Sequence, residues 1–299
     1  MIGHDDLTLA AKRIAPYVRR TPVLEATVDG RPVTLKLEHL QLTGSFKVRG
    51  ALNALLSGAP TDRVVTASGG NHGLGVATAA RLLGVRATIY VPENVPPDKE
   101  RRIAATGADV VRHGSRYAEA ERAARGYAEE AALRYLPAYD DADVVAGQGT
   151  VGIEIAEQVP ECDAVAVAVG GGGLIAGVSV GVGERTVVGV EPTGCASLHA
   201  AIAAGAPTDS PVHSVASSAL GATRVGRIPF DVLGATPALR LALVDDVEIL
   251  AARDRLWDEF RLAVEPAGAV AFAAWLAGRV SGDHACVVVC GANADWRPL

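Results

Sequence analysis

The sequence predicts an α/β fold, with open, mostly parallel sheets flanked by helices. Three observations carry that prediction. Runs of apolar, β-branched residues alternate along the chain with alanine-rich stretches of helical character. The strand runs are apolar throughout, the pattern of strands covered on both faces. Glycine-rich loops follow two of those runs directly, at the address where open α/β sheets bind ligands.

In chain order, the opening MIGHDDLTLAAKRIAPYVRR is amphipathic and starts with acidic charge. It lacks the basic start and apolar run of a secretion signal. Residues 42–55, LTGSFKVRGALNAL, read as a turn entering a helix, with Lys47 at the helix mouth and Arg49 expected in an ion pair. β-Branched content marks strands at RVVTAS (63–68), RATIYV (86–91), DAVAVAV (163–169), RTVVGVE (185–191) and CVVVC (286–290). Helices are expected over 73–83, 115–134, 173–182 and 251–262.

A chain of 299 residues with 49% hydrophobic content can bury a large core, in one big domain or two. Its net charge of −6 is interspersed, and aromatic residues make up only 4%. Neither a basic block nor a stacking surface marks a nucleic-acid partner. No stretch approaches the roughly 18 apolar residues of a membrane span. AVAVAVGGGGLIAGVSVGVG comes closest, but its glycines divide it into strand, loop and helix. The cysteines Cys162, Cys195, Cys286 and Cys290 form no CxxC pair. On one strand, Cys286 and Cys290 would lie roughly 13 Å apart, beyond the ~7 Å limit of a disulfide. All four are expected to be free thiols in a cytoplasmic protein.

Two glycine loops stand out: SGGNHG after VVTA, and GGGG, 170–173, after AVAVAV. Four consecutive glycines are costly in chain entropy, so they imply a close backbone approach. GGGGLIAG presents successive N–H groups at a helix start, which favours a phosphate dianion. The nucleotide P-loop pattern is absent. The dinucleotide pattern GxGxxG fits only when forced and falls late in the chain, which points to a smaller phosphorylated cofactor. A phosphate cradle together with Lys47 suggests pyridoxal phosphate, which is held by a lysine Schiff base and stabilises carbanions. Its ring nitrogen needs a partner, and Cys290 at the end of the last strand offers one.

GSFKVRGA, SGGNHG, GGGGL, VEPAGA and CGAN, in that order, resemble the motifs of the fold-type-II pyridoxal phosphate enzymes, and of the serine/threonine dehydratases among them. The resemblance runs from about residue 21 to 295. It implies two open, twisted, mostly parallel sheets of the tryptophan synthase β type. A large cofactor-binding domain would take 1–54 and 138–299, and a small mobile domain 55–137. It implies that Lys47 is the catalytic Schiff-base lysine and moves the α-proton. Phe46 and Asn71 would contact the ring, Asn71 at its phenolic oxygen. Gly170, Gly171, Gly172 and Gly173, with Leu174, would hold the phosphate. Cys290 would face the ring nitrogen, with Glu265 near the ring. The loop Ser68, Gly69, Gly70, Asn71 and His72 would hold the substrate carboxylate. Gly44 and Ser45 would provide the tight turn that aims Lys47 at the cofactor.

Fold alone does not choose among the chemistries of this family. Val48 stands where cysteine synthases carry aspartate, and His72 where they carry threonine. Racemisation needs a second proton carrier across the carbanion, and Gly69 occupies the slot of the serine that serves in serine racemases. The expectation is therefore β-elimination of L-threonine and/or L-serine to a 2-oxo acid and ammonia. An amino-acid racemase and a dehydratase of another β-hydroxy amino acid, such as 3-hydroxyaspartate, are the alternatives. Relatives that bind a cation use acids where this chain has Ser197 and Ser217, so no metal ligands are assigned beyond a match at Glu191. A monovalent ion held by carbonyls stays open. The chain ends at Leu299, where no regulatory domain with isoleucine-type feedback is expected. The relatives suggest a homodimer.

Overall fold

The computed structural model describes residues 2–293. Its strands form two sheets. The first contains β1 (Val23–Val28), β2 (Arg31–Lys36), β7 (Ala164–Ala168), β8 (Thr186–Pro192), β9 (Leu239–Val244) and β10 (Ala285–Val288), in the order β1-β2-β10-β7-β8-β9. Only the β1–β2 hairpin in it is antiparallel. The second contains β3 (Arg63–Ala67), β4 (Arg86–Val91), β5 (Asp109–Arg112) and β6 (Arg134–Tyr135), in the order β5-β4-β3-β6, all parallel. The expected α/β architecture is present, as are the five expected strands.

The helices are α1 (His4–Ile14), α2 (Lys47–Ser57), α3 (Asn71–Leu82), α4 (Pro97–Ala104), α5 (Tyr117–Glu130), α6 (Ala142–Gln158), α7 (Gly173–Gly181), α8 (Ser197–Ala204), α9 (Ser217–Leu220), α10 (Arg227–Gly234), α11 (Asp246–Phe260) and α12 (Pro266–Leu276). Two departures from expectation have local causes. The helix expected to reach residue 134 stops at Glu130. Ala132 turns left-handed at φ 51°, and Leu133 N–H closes onto Ala128 O at 2.8 Å, a Schellman-type end. Arg134 and Tyr135 are then free to pair with β3. The helix expected from 251 starts earlier, at Asp246, because Asp245 and Glu248 form a capping box.

Strands β7 and β10 are buried along their whole length, and α12 is buried on nearly every side. An all-apolar helix belongs in such a core. Helices α6 and α7 meet through glycine. A Cβ on Gly177 would lie 2.5 Å from Gly149 N and Val145 O, so only glycine permits the contact. This close crossing fixes α7, whose N-terminus carries the four-glycine loop. A buried ionic cluster fixes α2. Arg49 bonds both Glu38 and Glu154, and Lys36 bonds Glu154 at 2.5 Å.

Candidate active site

A cavity opens beyond the carboxyl ends of β7 and β10, the position where α/β sheets bind ligands. Phe46, Lys47, Asn71, Gly170 to Gly173, Leu174, Glu265 and Cys290 all line it. Sequence reasoning did not single out Tyr139, Ala168, Ala219, Leu220 or Ala267, which complete the wall. Gly69, Gly70 and Asn71 line a second, adjoining hollow with Lys99 and Arg102 of α4. Ser68 lies in neither, and its Oγ accepts from Gly70 N at 3.2 Å.

Lys47 is aimed by the turn before it, although the turn differs from the one expected. Thr43 and Gly44 are both left-handed, at φ 70° and 71°. Ser45 is extended and bridges Gly291. Thr43 therefore takes the role expected of Ser45. A β-branched residue rarely adopts this conformation. Asn293 Nδ2 holds it by donating to Thr43 O at 2.6 Å. Lys47 then opens α2, with Nζ donating to Ala138 O at 3.0 Å and lying 5.2 Å from the Phe46 ring centre. Burial pushes its pKa down to about 8.

Cys290 ends the β10 segment, with its thiol donating to Ala267 O at 3.4 Å. Burial pushes the thiol up to about 12, so it stays neutral. Buried Glu265 reaches across Gly291 and accepts from Asn71 Nδ2 at 2.6 Å. Burial raises its pKa, and the Asn71 bond works against that rise. Asn71 Oδ1 in turn accepts from Asn293 at 2.7 Å.

His72 differs from the loop residue expected. It is buried, with Nε2 3.0 Å from Thr66 Oγ1 and 3.1 Å from Leu136 O. Thr66 Oγ1 donates to Leu136 O at 2.7 Å. Both groups near Nε2 can thus only accept from it, which places the ring proton there. Burial, then the Lys47 charge, push its pKa down to about 3, so the ring is neutral.

The glycine loop presents backbone to the cavity. Gly172 is left-handed at φ 88°, and a Cβ there would stand 2.8 Å from Pro229 Cβ and Val225 Cγ2. A Cβ on Gly171 would overlap the Tyr139 ring. Ser197 Oγ donates to Gly170 O at 2.9 Å. Buried Glu191 accepts from Leu198 N, His199 N and His199 Nδ1 at 2.7, 2.9 and 2.6 Å, capping α8. No cluster of three or more metal-ligating side chains occurs among the described residues. None of the helices described is long and apolar enough to cross a membrane.

These residues fit a phosphorylated pyridine. The loop N–H groups and the start of α7 suit its phosphate, a neutral thiol suits its ring nitrogen, and a lysine of lowered pKa suits its aldehyde. Comparison with known proteins points the same way. Residues 14–291 match a family described as pyridoxal-phosphate dependent enzyme. The chain is 37% identical to an L-threonine ammonia-lyase of Geobacter sulfurreducens, over 100% of this chain and 77% of that protein. It is 38% identical to a biosynthetic L-threonine dehydratase of Mycobacterium leprae, over 97% of this chain and 72% of that one. The crystal structure of a T.th. threonine deaminase superposes with a TM-score of 0.92 at 35% identity, covering 99% of this chain and 100% of that one. Maize serine racemase superposes at 0.91 with 31% identity, covering 98% and 94%.

Proposed function

The chain belongs to the pyridoxal-phosphate dependent enzymes, and from that premise we propose that it converts L-threonine, and L-serine, to the corresponding 2-oxo acid and ammonia. It is a lyase that uses pyridoxal phosphate. The carrying observation is Lys47, an amine of lowered pKa at the rim of a glycine-loop cavity, with Gly69 where a second proton carrier would be needed.

Pyridoxal phosphate, when bound, supplies the electron sink that lets a proton leave Cα. The chain supplies the rest. Lys47 takes the α-proton, since its amine is far closer to neutrality than an exposed lysine. Gly170 to Gly173 and the start of α7 would hold the phosphate. Asn71 gives one N–H to Glu265 and keeps the other for the ring oxygen. Cys290 would meet the ring nitrogen as an uncharged thiol, its one S–H turning there from Ala267 O, a pairing that would leave charge near Cα and favour loss of the β-hydroxyl, which would depart as water on taking up one proton. Backbone N–H groups of the loop Ser68 to His72, at the start of α3, would receive the substrate carboxylate, while the His72 ring stays buried against Thr66 and Leu136 and takes no part in that contact. Residues 55–137, with the four-stranded sheet, would close over the bound substrate.

Kinship with a serine racemase keeps isomerisation in view. A Cβ on Gly69 would meet Val95 Cγ2 at 2.6 Å, so this position is built for glycine and carries no proton. The reading also includes a cytoplasmic homodimer, whose oligomeric state light scattering on the purified protein would test.

The deciding experiment supplies purified protein with pyridoxal phosphate and L-threonine, L-serine, 3-hydroxyaspartate or phenylserine. Equal release of 2-oxo acid and ammonia establishes elimination, and the relative rates name the substrate. A cofactor band without either product would overturn it, and D-isomer in the recovered amino acid would establish the racemase.

A further inference from the structure

His72 is the buried titratable group that this mechanism leaves unused. Its Nδ1 has no partner among the described residues, although the side chain is only 4% exposed. The Nε2 proton, donated toward Thr66 and Leu136, makes Nδ1 a bare acceptor. A buried acceptor left unsatisfied is unfavourable, so its surroundings should hold a donor.

The helix that carries the ring packs against Lys47. His72 and Gly75 are three residues apart on α3 and share a face. That face rests on Lys47: a Cβ on Gly75 would lie 3.1 Å from the Lys47 carbonyl carbon and 3.2 Å from its Cβ. The same ring anchors Leu136, two residues before the Ala138 carbonyl that Lys47 Nζ already meets at 3.0 Å. The Lys47 charge also reaches the ring. We infer that His72 is a positioning residue for Lys47, whose Nδ1 lone pair accepts a hydrogen bond from Nζ when the lysine carries the proton taken from the substrate. An ammonium at the cavity wall gains from a second acceptor beyond Ala138 O. A neutral imidazole supplies one without adding charge, and the locked Nε2 proton keeps Nδ1 in acceptor form.

The inference rests on Lys47 as the base of the proposed reaction, and two substitutions test it. His72→Gln places an amide donor near the Nε2 position, keeping the bonds to Thr66 and Leu136, but offers nothing at Nδ1. His72→Asn does the reverse, with an oxygen near the Nδ1 position. Cys290 and Glu265, the other titratable groups of the cavity, are unchanged in both. The first readout is the pH dependence of Lys47 acylation in the cofactor-free full-length chain, followed by mass spectrometry. Loss of the acceptor disfavours the ammonium, so H72Q should raise labelling at pH 6 by about ten-fold, with H72N within about two-fold of the parent. The second readout is turnover of the protein loaded with pyridoxal phosphate. There H72Q should lose about ten-fold in kcat with KM nearly constant, and H72N should stay near the parent.

The opposite ranking, with Gln active and Asn impaired, would show that His72 merely holds Leu136, and would overturn the inference. Identical labelling in all three proteins would also overturn it. Labelling needs no substrate, so absence of 2-oxo acid would sink the dehydratase reading and leave this comparison standing. Should H72Q fail to fold, Thr66→Val removes the threonine contact and keeps Nδ1. Unchanged labelling there supports the inference, and a rise of about ten-fold, equivalent to about one pKa unit, refutes it.

Discussion

Replacing Arg49 by leucine should make the support of the Lys47 helix both weak and pH-sensitive. Arg49 is fully buried. Its Nε and Nη2 bond Glu38 at 2.9 and 2.8 Å, and its Nη1 and Nη2 bond Glu154 at 2.7 and 3.0 Å. Lys36 Nζ, also buried, bonds Glu154 at 2.5 Å, Gln158 at 2.7 Å and Thr21 O at 2.8 Å. Each cation has a carboxylate to balance it, so the cluster is neutral. Leucine would leave both carboxylates with Lys36 alone. Removing one partner of a buried pair costs about 3–5 kcal/mol. At roughly 2–4 °C per kcal/mol, Tm should fall by about 6–20 °C.

The pH dependence has a definite sign. Burial works to raise the pKa of Glu154, but Arg49 and Lys36 outweigh it and hold the carboxyl below its ordinary value. Without Arg49 that balance tips toward burial, and the folded-state pKa rises above the unfolded one. A carboxyl raised in this way favours the fold below its unfolded pKa, and that contribution is lost as pH rises through the folded value. The Tm gap between R49L and the parent should therefore widen from pH 5 to pH 8. Calorimetry across that range reads it. Adding E38Q, which restores one cation to one carboxylate, should recover part of the loss at pH 8. A loss under about 2 °C would mean that the cluster contributes little. A loss independent of pH would mean that the buried charge is not its cause.

Three further outcomes follow from the site. Covalent capture of pyridoxal phosphate by the cofactor-free chain should climb with the free-amine fraction of Lys47, up to its pKa of about 8; a rate still rising steeply near the ordinary lysine value of about 10.4 would contradict this. Gly171→Ala should push the Tyr139 ring off the loop. Overpacking of about 1–3 kcal/mol weakens cofactor binding by about 5- to 150-fold, read by absorbance titration, and Tyr139→Ala in the same chain should restore part of it. Gly69→Ser meets Val95 and should lower turnover of L-serine without forming D-serine, whereas adding Val95→Ala makes room for the hydroxyl and should yield some. D-Serine from G69S alone, by chiral chromatography, would show that Val95 is no obstacle.

The fold was legible where burial writes itself into composition. DAVAVAV and CVVVC can only be strands covered on both faces, and they become β7 and β10 at the centre of the larger sheet. The β1–β2 hairpin has a weak apolar pattern, although Asp29 and Gly30 form its turn at φ 50° and 74°, the dipeptide such turns favour. Glu25, Thr27 and Arg31 interrupt its apolar residues, because this edge is only partly covered. Strand β6 is two residues long and has no pattern to find. It exists because Ala132 ends α5 and frees Arg134 to bond Ala54 O and lie beside β3.

In the site, residues of a distinctive type could be named from motifs, whether they act through side chains or, like the run of four glycines, through backbone, while those that act through an ordinary carbonyl could not. Lys47, Asn71, Cys290 and the four glycines line one cavity. Ala138 and Leu136 act through carbonyl oxygens, which every residue possesses, so no residue type marks them. His72 lies between the two cases. Its identity was visible, but a helix-start histidine reads equally as exposed or buried. What decides is Leu136 O, a carbonyl that can only accept and so fixes the ring proton at Nε2; β6 runs beside β3 and brings it within reach of both His72 and Thr66, six positions earlier on β3. The shortest strand of the fold, the least visible in sequence, thus delivers the carbonyl at residue 138 to Lys47 and orients the imidazole beside it. A substitution that unpairs β6 from β3 should therefore disturb Lys47 without touching any residue that lines the cofactor cavity.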